Sequence, residues 1–303
     1  MPRLQRSSSD RVGPSLLRRL TRAAAAALTA STLVTAGASG ASAAEPTYYV
    51  SLGDSLAAGY QPDVRKDVNV SYTDVLYATL KKSDPNLQHV RLGCSGETTQ
   101  SMIKGGVCTY DGATSQLDAA VKFLRAHPGQ VKYVTEDIGA NNVDKCLPSG
   151  GLDLMCLVSG IFSLGSDILT INRALHDAGG AAPRYVGMTY YDPMLAGWLQ
   201  GGTTQAIAAG SAVLNNVLSA VITGDDDATG FATADVATAF SNNDFGSAVA
   251  LPGIGSVPRN VAQICQWTWM CTSYHDIHAN PAGHQVIANA FLPKLTNSSA
   301  ANR

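Results

Sequence analysis

From residue 46 onward, short apolar runs alternate with longer stretches whose apolar residues recur every three or four positions. The short runs, at 48–53, 89–93, 131–139, 184–190 and 231–236, are rich in Val and Tyr and read as strands. The longer stretches, at 71–82, 115–126, 162–178, 205–222 and 281–295, read as helices. Strands that alternate with helices predict a parallel sheet covered on both faces. Between 240 and 275 the pattern breaks down into a loop-rich excursion. No internal repeat and no linker divides residues 44–303, so they are expected to form a single domain. In open parallel sheets, ligands bind beyond the C-terminal ends of the strands. The segment "YVSLGDSLAAGY" (49–60) places Ser55 at such an end.

The first 43 residues do not fit this alternation. Residues 1–22 hold six arginines and one aspartate; a short stretch of small apolar residues follows and ends in Ala41-Ser42-Ala43, the pattern of a secretory cleavage site. The stretch is too short and too rich in Gly and Ser for a good bilayer span. Residues 1–43 therefore read as a signal peptide for a secreted protein. Arg18-Arg19 leave a twin-arginine route open beside general secretion. Without this segment the chain's 21 basic and 23 acidic residues become 15 and 22, a net charge near −7. That balance argues against a nucleic-acid partner, which calls for clustered basic residues. All six cysteines, Cys94, Cys108, Cys146, Cys156, Cys265 and Cys271, lie in the remainder. An even count in an exported chain predicts disulfides, and the grouping in sequence favours the local loops 94–108, 146–156 and 265–271.

Four segments carry a family resemblance. "GDSLAAGY" resembles the first block of the GDSL, or SGNH, hydrolases, in which the serine nucleophile, here Ser55, follows the first strand. "GCSGETT" resembles the second block, with its glycine at Gly96. "IGANN" resembles the third, with its asparagine at Asn141, and "DIHANPAGHQVIANAF" resembles the last, with the histidine at His278. The blocks occur in family order over almost all of residues 44–303. The three expected local disulfides are similar to those of secreted actinobacterial lipases and esterases of this family. The resemblance implies a flavodoxin-like, three-layer α/β/α sandwich with a mainly parallel, five-stranded sheet, and no cofactor.

The chemistry implied is acyl transfer. A serine hydroxyl attacks poorly until a base removes its proton, and His278 is the natural base. Attack on an ester places charge on the carbonyl oxygen. The resemblance implies three donors for that charge: the backbone N–H groups of Ser55 and Gly96 and the side-chain amide of Asn141. Asp54 is expected to fix the turn by local hydrogen bonds. The third member of the relay departs from the family's common Asp-x-x-His, because His275 stands three residues before His278 and the aspartate, Asp276, stands two before. In an extended segment Asp276 shares a face with His278 and can reach its ring. Alternatively, a backbone carbonyl from the 265–275 loop orients the ring.

Other readings compete with this one. Cys265, Cys271, His275 and His278 form a Cys/His cluster of the kind that can hold zinc, although the spacing is unlike a zinc finger. "GDDDATG" (224–230) suggests calcium but lacks the ligand alternation of an EF-hand loop, so a solvated acidic turn is expected. His284 is expected to be partly exposed, and Trp198, Trp267 and Trp269 belong either to the core or to an acyl groove. The functional expectation is a secreted serine esterase or lipase, acting on small-molecule or lipid esters as a monomer without stable membrane insertion. The alternatives are a carbohydrate esterase that deacetylates a polysaccharide, and a non-catalytic binding protein on the same scaffold.

Overall fold

The computed structural model describes residues 45–144, 146 and 154–296. The signal peptide expected at 1–43 lies outside them. Five strands, β1 (Thr47–Ser51), β2 (Leu87–Arg91), β3 (Val131–Thr135), β4 (Arg184–Met188) and β5 (Ala232–Ala234), form one sheet. Their spatial order is β2-β1-β3-β4-β5, and every adjacent pair is parallel. This is a doubly wound order, which reverses direction beside β1. The expected parallel five-stranded α/β sheet is therefore present.

The main helices are α1 (Tyr72–Leu80), α2 (Gln116–Ala126), α3 (Leu154–Gly179), α4 (Gly202–Thr229) and α5 (Pro281–Thr296). Helix α1 packs on α5, whereas α2, α3 and α4 pack in series, giving the two helical layers. The starts of α1 and α2 follow from capping serines. Ser71 accepts from the Asp74 N–H, with the Asp74 carboxylate returning to the Ser71 N–H, and Ser115 accepts from the Asp118 N–H. Tyr49, Val50, Leu52, Val134, Ile138, Val186 and Met188 are buried in the core on and just beyond the central strands. Such continuous apolar strands suit a sheet covered on both faces.

Three expectations need correction. The 240–275 excursion contains a hairpin, Ala248–Leu251 with Gly255–Pro258, and a helix at Arg259–Trp267. This helix is only 9 residues long, with Val261, Ala262 and Ile264 buried, too short for its periodicity to stand out in sequence. Second, "GDDDATG" is no solvated turn. It ends α4, and Asp226 is fully buried, accepting from Asn172 Nδ2 (3.0 Å) and Thr233 Oγ1 (2.8 Å) as the chain turns into β5. Third, His284 is fully buried between α5 and α1, where its Nδ1 accepts from the Tyr72 N–H at 3.1 Å. Burial pushes that imidazole down to about 3, so it is neutral.

Helix α4 is the one described helix long and apolar enough to cross a membrane by length and composition alone. It lies along α3 and the 3₁₀ turn Pro193–Gln200. The disulfides pair as the sequence grouping suggested: Cys94 with Cys108, Cys146 with Cys156, and Cys265 with Cys271.

Candidate active site

Strand β1 ends at Ser51, and four residues later Ser55 opens a single helical turn, Ser55–Ala58. The turn is made by three local devices. Gly53 takes φ = 140°, and a Cβ there would lie 2.0 Å from Asp137 Oδ1, so only glycine fits. Asp54 caps the turn, its Oδ1 accepting from the Leu56 N–H at 2.9 Å. Gly59, in the left-handed region, closes it by donating its N–H to Ser55 O. Asp54 thus has the local turn-fixing contact expected of it.

The partner of Ser55 comes from the far end of the chain. Ser55 Oγ lies 2.8 Å from His278 Nε2, and His278 Nδ1 lies 2.6 Å from Asp276 Oδ1. The same carboxylate oxygen accepts the His278 backbone N–H at 2.9 Å. With Nδ1–H donated to Asp276, Nε2 is left as the acceptor for the serine hydroxyl. His278 and Asp276 sit on the strand Asp276–Ala279, which pairs antiparallel with Thr268–Trp269. Tyr191 Oη donates to Ile277 O between them at 2.8 Å, and the Tyr60 ring lies 4.6 Å from the imidazole. The His278 and Asp276 side chains are 17% and 24% exposed, open enough to meet a substrate. His275 takes φ = 48° and makes the bend that feeds Asp276 into the extended strand. Of the two sequence alternatives, the ring's partner is therefore the Asp276 carboxylate.

Gly96 takes φ = 86°, a left-handed conformation that favours glycine. A Cβ there would meet only Val107, at 3.9 Å, so backbone conformation rather than crowding selects the residue. Among the described residues, the N–H groups of Ser55 and Gly96 donate to no other protein group. Asn141, at the start of the turn Ala140–Asp144, donates Nδ2 to Glu97 O at 2.8 Å, which ties its amide to the Gly96 loop. Asn142 is buried and committed to Thr99, through Oδ1 (3.0 Å) and Nδ2 (2.7 Å). Cys94, bonded to Cys108, anchors the same loop and donates its N–H to Gly53 O at 3.0 Å.

Several residues at the site carried no sequence signal. Buried Gln116 accepts from the Gly53 N–H (2.6 Å), and its Nε2 lies 3.0 Å from both Gly53 O and Glu97 Oε2. It thereby joins the Ser55 turn to the Gly96 loop. Tyr190 donates to Asp54 Oδ2 at 3.1 Å. Of the tryptophans, Trp267 packs edge-on against buried Phe240, Trp198 lies against Phe245, and Trp269 donates Nε1 to Gln61 Oε1. The Cys/His cluster is divided by the bond between Cys265 and Cys271.

No family model matches the chain, and no curated protein matches it. Solved structures do. An extracellular lipase from Streptomyces rimosus superposes with a TM-score of 0.52 at 19% identity, covering 82% of this chain and 98% of its own. The chain has the SGNH-hydrolase fold. A GDSL-like lipase from Parabacteroides merdae (TM-score 0.51, 12% identity, 83% of this chain and 96% of its own) shares it. So does an acetylxylan esterase from Geobacillus stearothermophilus (0.50, 12%, 86% and 98%). At these identities the likeness is one of fold. Within the SGNH-hydrolase fold, the relay sits beyond the C-terminal end of β1, next to the strand where the sheet order reverses.

Proposed function

We propose that the chain is a secreted serine hydrolase that cleaves carboxylic esters through an acyl-enzyme. The observation that carries the reading is the unbroken relay from Ser55 Oγ to His278 (2.8 Å) and from His278 to Asp276 (2.6 Å). Ser55 Oγ attacks the ester carbonyl as His278 Nε2 takes its proton, and the imidazolium that forms faces the Asp276 carboxylate. The oxyanion meets the Ser55 and Gly96 N–H groups and the Asn141 amide, and loss of one such donor costs roughly 3 kcal/mol. His278 returns the proton to the leaving alcohol, and a water activated by the same nitrogen then releases the acid. Asp54, Gly53 and Gln116 hold the turn and do not react.

Export is supported by the three disulfides, which persist in oxidising compartments, and by the cleavage pattern at 41–43. The substrate is a small-molecule or lipid ester. The acetylxylan esterase on the same fold motivates an acetylated polysaccharide as the competing substrate.

The test is a panel of acyl esters from acetyl upward, with a phospholipid and acetylated xylan beside it, together with covalent labelling by an organophosphonate. Label is expected on Ser55, and Ser55→Ala is expected to be inactive while melting as the parent does. Label on another serine, or full activity in Ser55→Ala, overturns the assignment. Inertness toward every ester and toward the phosphonate favours a binding protein on this scaffold.

A further inference from the structure

Directly beneath the nucleophile turn two carboxyl groups meet without a cation. Asp137, two residues past β3, is fully buried, and so is Asp54 apart from a trace of surface. The Asp54 N–H donates to Asp137 O at 3.0 Å, which sets the two residues side by side, and their carboxyls are near enough to act on each other electrostatically. Neither makes an ion pair with Lys or Arg among the described residues. The Asp137 carboxyl occupies the space a side chain at Gly53 would need.

The donors decide where the proton sits. Asp54 accepts from two groups, the Leu56 N–H on Oδ1 and the Tyr190 hydroxyl on Oδ2. Asp137 Oδ1 accepts from the Tyr72 hydroxyl at 2.7 Å, but among the described residues no donor reaches its fully buried Oδ2. A buried carboxylate oxygen without a donor is costly, whereas a carboxylic hydroxyl there carries no charge to leave unsatisfied. Two adjacent carboxyls in a dry site do not both ionise. Asp54 is thus the carboxylate and Asp137 the acid. Burial, and then the charge of Asp54, raises Asp137 well above the carboxylate range, in agreement with the donor pattern.

We propose that protonated Asp137 is a positioning residue for the nucleophile: its hydroxyl, donated to Asp54, holds the capped turn that presents Ser55 to His278. Loss of that proton in alkaline solution sets two anions face to face and releases the turn. The other titratable groups around the pair are Tyr72 from α1, Tyr49 from β1, Tyr190 beyond β4, Glu97 on the loop after β2, Glu136 on the same segment as Asp137, and His278 acting on Asp54. The inference rests on the reading of Ser55 as nucleophile.

The experiment measures kcat and KM on a soluble short-chain ester, and melting temperature, across the neutral to alkaline range for the parent, Asp137→Asn, Asp137→Leu and Tyr72→Phe. The parent is expected to lose kcat reversibly on the alkaline side with KM little changed. Asp137→Asn keeps a donor toward Asp54 at every pH; its neutral kcat should fall by less than about tenfold, and its alkaline fall should disappear. Asp137→Leu removes the donor and should lower kcat by roughly ten- to a hundredfold, even at neutral pH. Tyr72→Phe deletes a bond that favours the carboxylate, so its alkaline fall should move to higher pH. Melting supplies a readout independent of catalysis. The native parent keeps a proton that the unfolded chain releases, so its melting temperature should decline with rising pH more steeply than that of Asp137→Asn. An infrared band of a protonated carboxyl should weaken in Asp137→Asn at neutral pH. An alkaline limb in Asp137→Asn identical to the parent's, or full activity in Asp137→Leu, overturns the proposal. If no ester is cleaved at any pH but the melting curves and infrared band behave as stated, the esterase reading fails and the protonation of Asp137 stands.

Discussion

Asp276→Asn is the sharpest probe of the relay, because it changes one oxygen for one nitrogen at the end farther from Ser55. In the native site, Asp276 Oδ1 accepts from both His278 Nδ1 (2.6 Å) and the His278 backbone N–H (2.9 Å). The amide keeps the shape, and its remaining oxygen can still satisfy the backbone N–H. What it lacks is the negative charge facing the imidazolium that the proposed attack by Ser55 would form. Two unit charges about 4 Å apart interact by roughly 4 kcal/mol at an effective dielectric near 20. Spread over the barrier, that is a loss of about 10³-fold in kcat. If the amide nitrogen turns toward Nδ1, the ring is also driven into the wrong tautomer. The same exchange in a serine protease lowers kcat by about 10⁴-fold, which sets the upper end. The assay is steady-state hydrolysis of whichever short ester proves best, with melting measured in parallel. Because the carboxylate acts mainly in the transition state, the loss should fall on kcat and leave KM within a few-fold. A fall of less than about tenfold, in a variant that melts like the parent, would refute the claim that Asp276 orients and stabilises His278. It would leave a Ser55–His278 pair aligned by the 276–279 strand alone.

If Asn141 is an oxyanion donor as proposed, Asn141→Ala should lower kcat by roughly a hundredfold or more with little change in KM, because that charge appears only in the transition state, while a change confined to KM would make Asn141 a ground-state contact. Gln116→Leu breaks the paired contacts to Gly53 and the tie to Glu97, so kcat should fall roughly ten- to a hundredfold. Combined with Asn141→Ala it should cost much less than the product of the two single losses, because both act on the same donors, and full additivity would place Gln116 outside the oxyanion site. The fold should also be stabler in mild acid than at neutral pH. Burial pushes Asp192 up to about 6 and Asp226 up to about 7 from an ordinary 3.8, so their protonated forms are held in the native state. The stability they contribute is complete below about pH 4 and is lost as pH rises through those values. Melting temperatures measured across this range should decline, and Asp226→Asn should flatten the decline; a parent curve that rises from pH 4 to 7 would contradict the sign.

The sheet was legible because a strand buried on both faces must be apolar throughout. The runs at 48–53, 131–139 and 184–190 announced β1, β3 and β4 to within a few residues, though 131–139 ran four past the end of β3. Helices α1, α2 and α5 matched within two residues because their ends carry local signals, such as Ser71 and Ser115 before the first apolar turn. The 205–222 segment was extended to 202–229 by residues with poor helical signals, the acidic run included. Those aspartates read as a loop because nothing in the local sequence reveals that Asn172, 54 residues earlier, would face Asp226.

The site divides along the same line. Ser55, Gly96 and Asn141 are set in turns built from their own neighbours, and His278 stands just ahead of the final helix, so the segments around them carry recognisable patterns. Asp276 was decidable in principle, since an extended strand puts i and i+2 on one face, but that the approach to His278 is extended depends on the pairing with Thr268–Trp269. Gln116, Tyr72, Tyr190 and Asp137 were invisible because each reaches its partner across 63 to 136 residues. A single contact of that span imposes no period and no spacing on the sequence around it. The consequence is testable through chemistry rather than pattern: the proposed nucleophile, base and oxyanion donors are announced locally, and residues that hold them are announced only by what they would leave unsatisfied. Gly53 is the exception that supports the rule. It reads as an ordinary turn glycine, yet the space it leaves open is filled by the carboxyl of Asp137, so its requirement for glycine is set from 84 residues away.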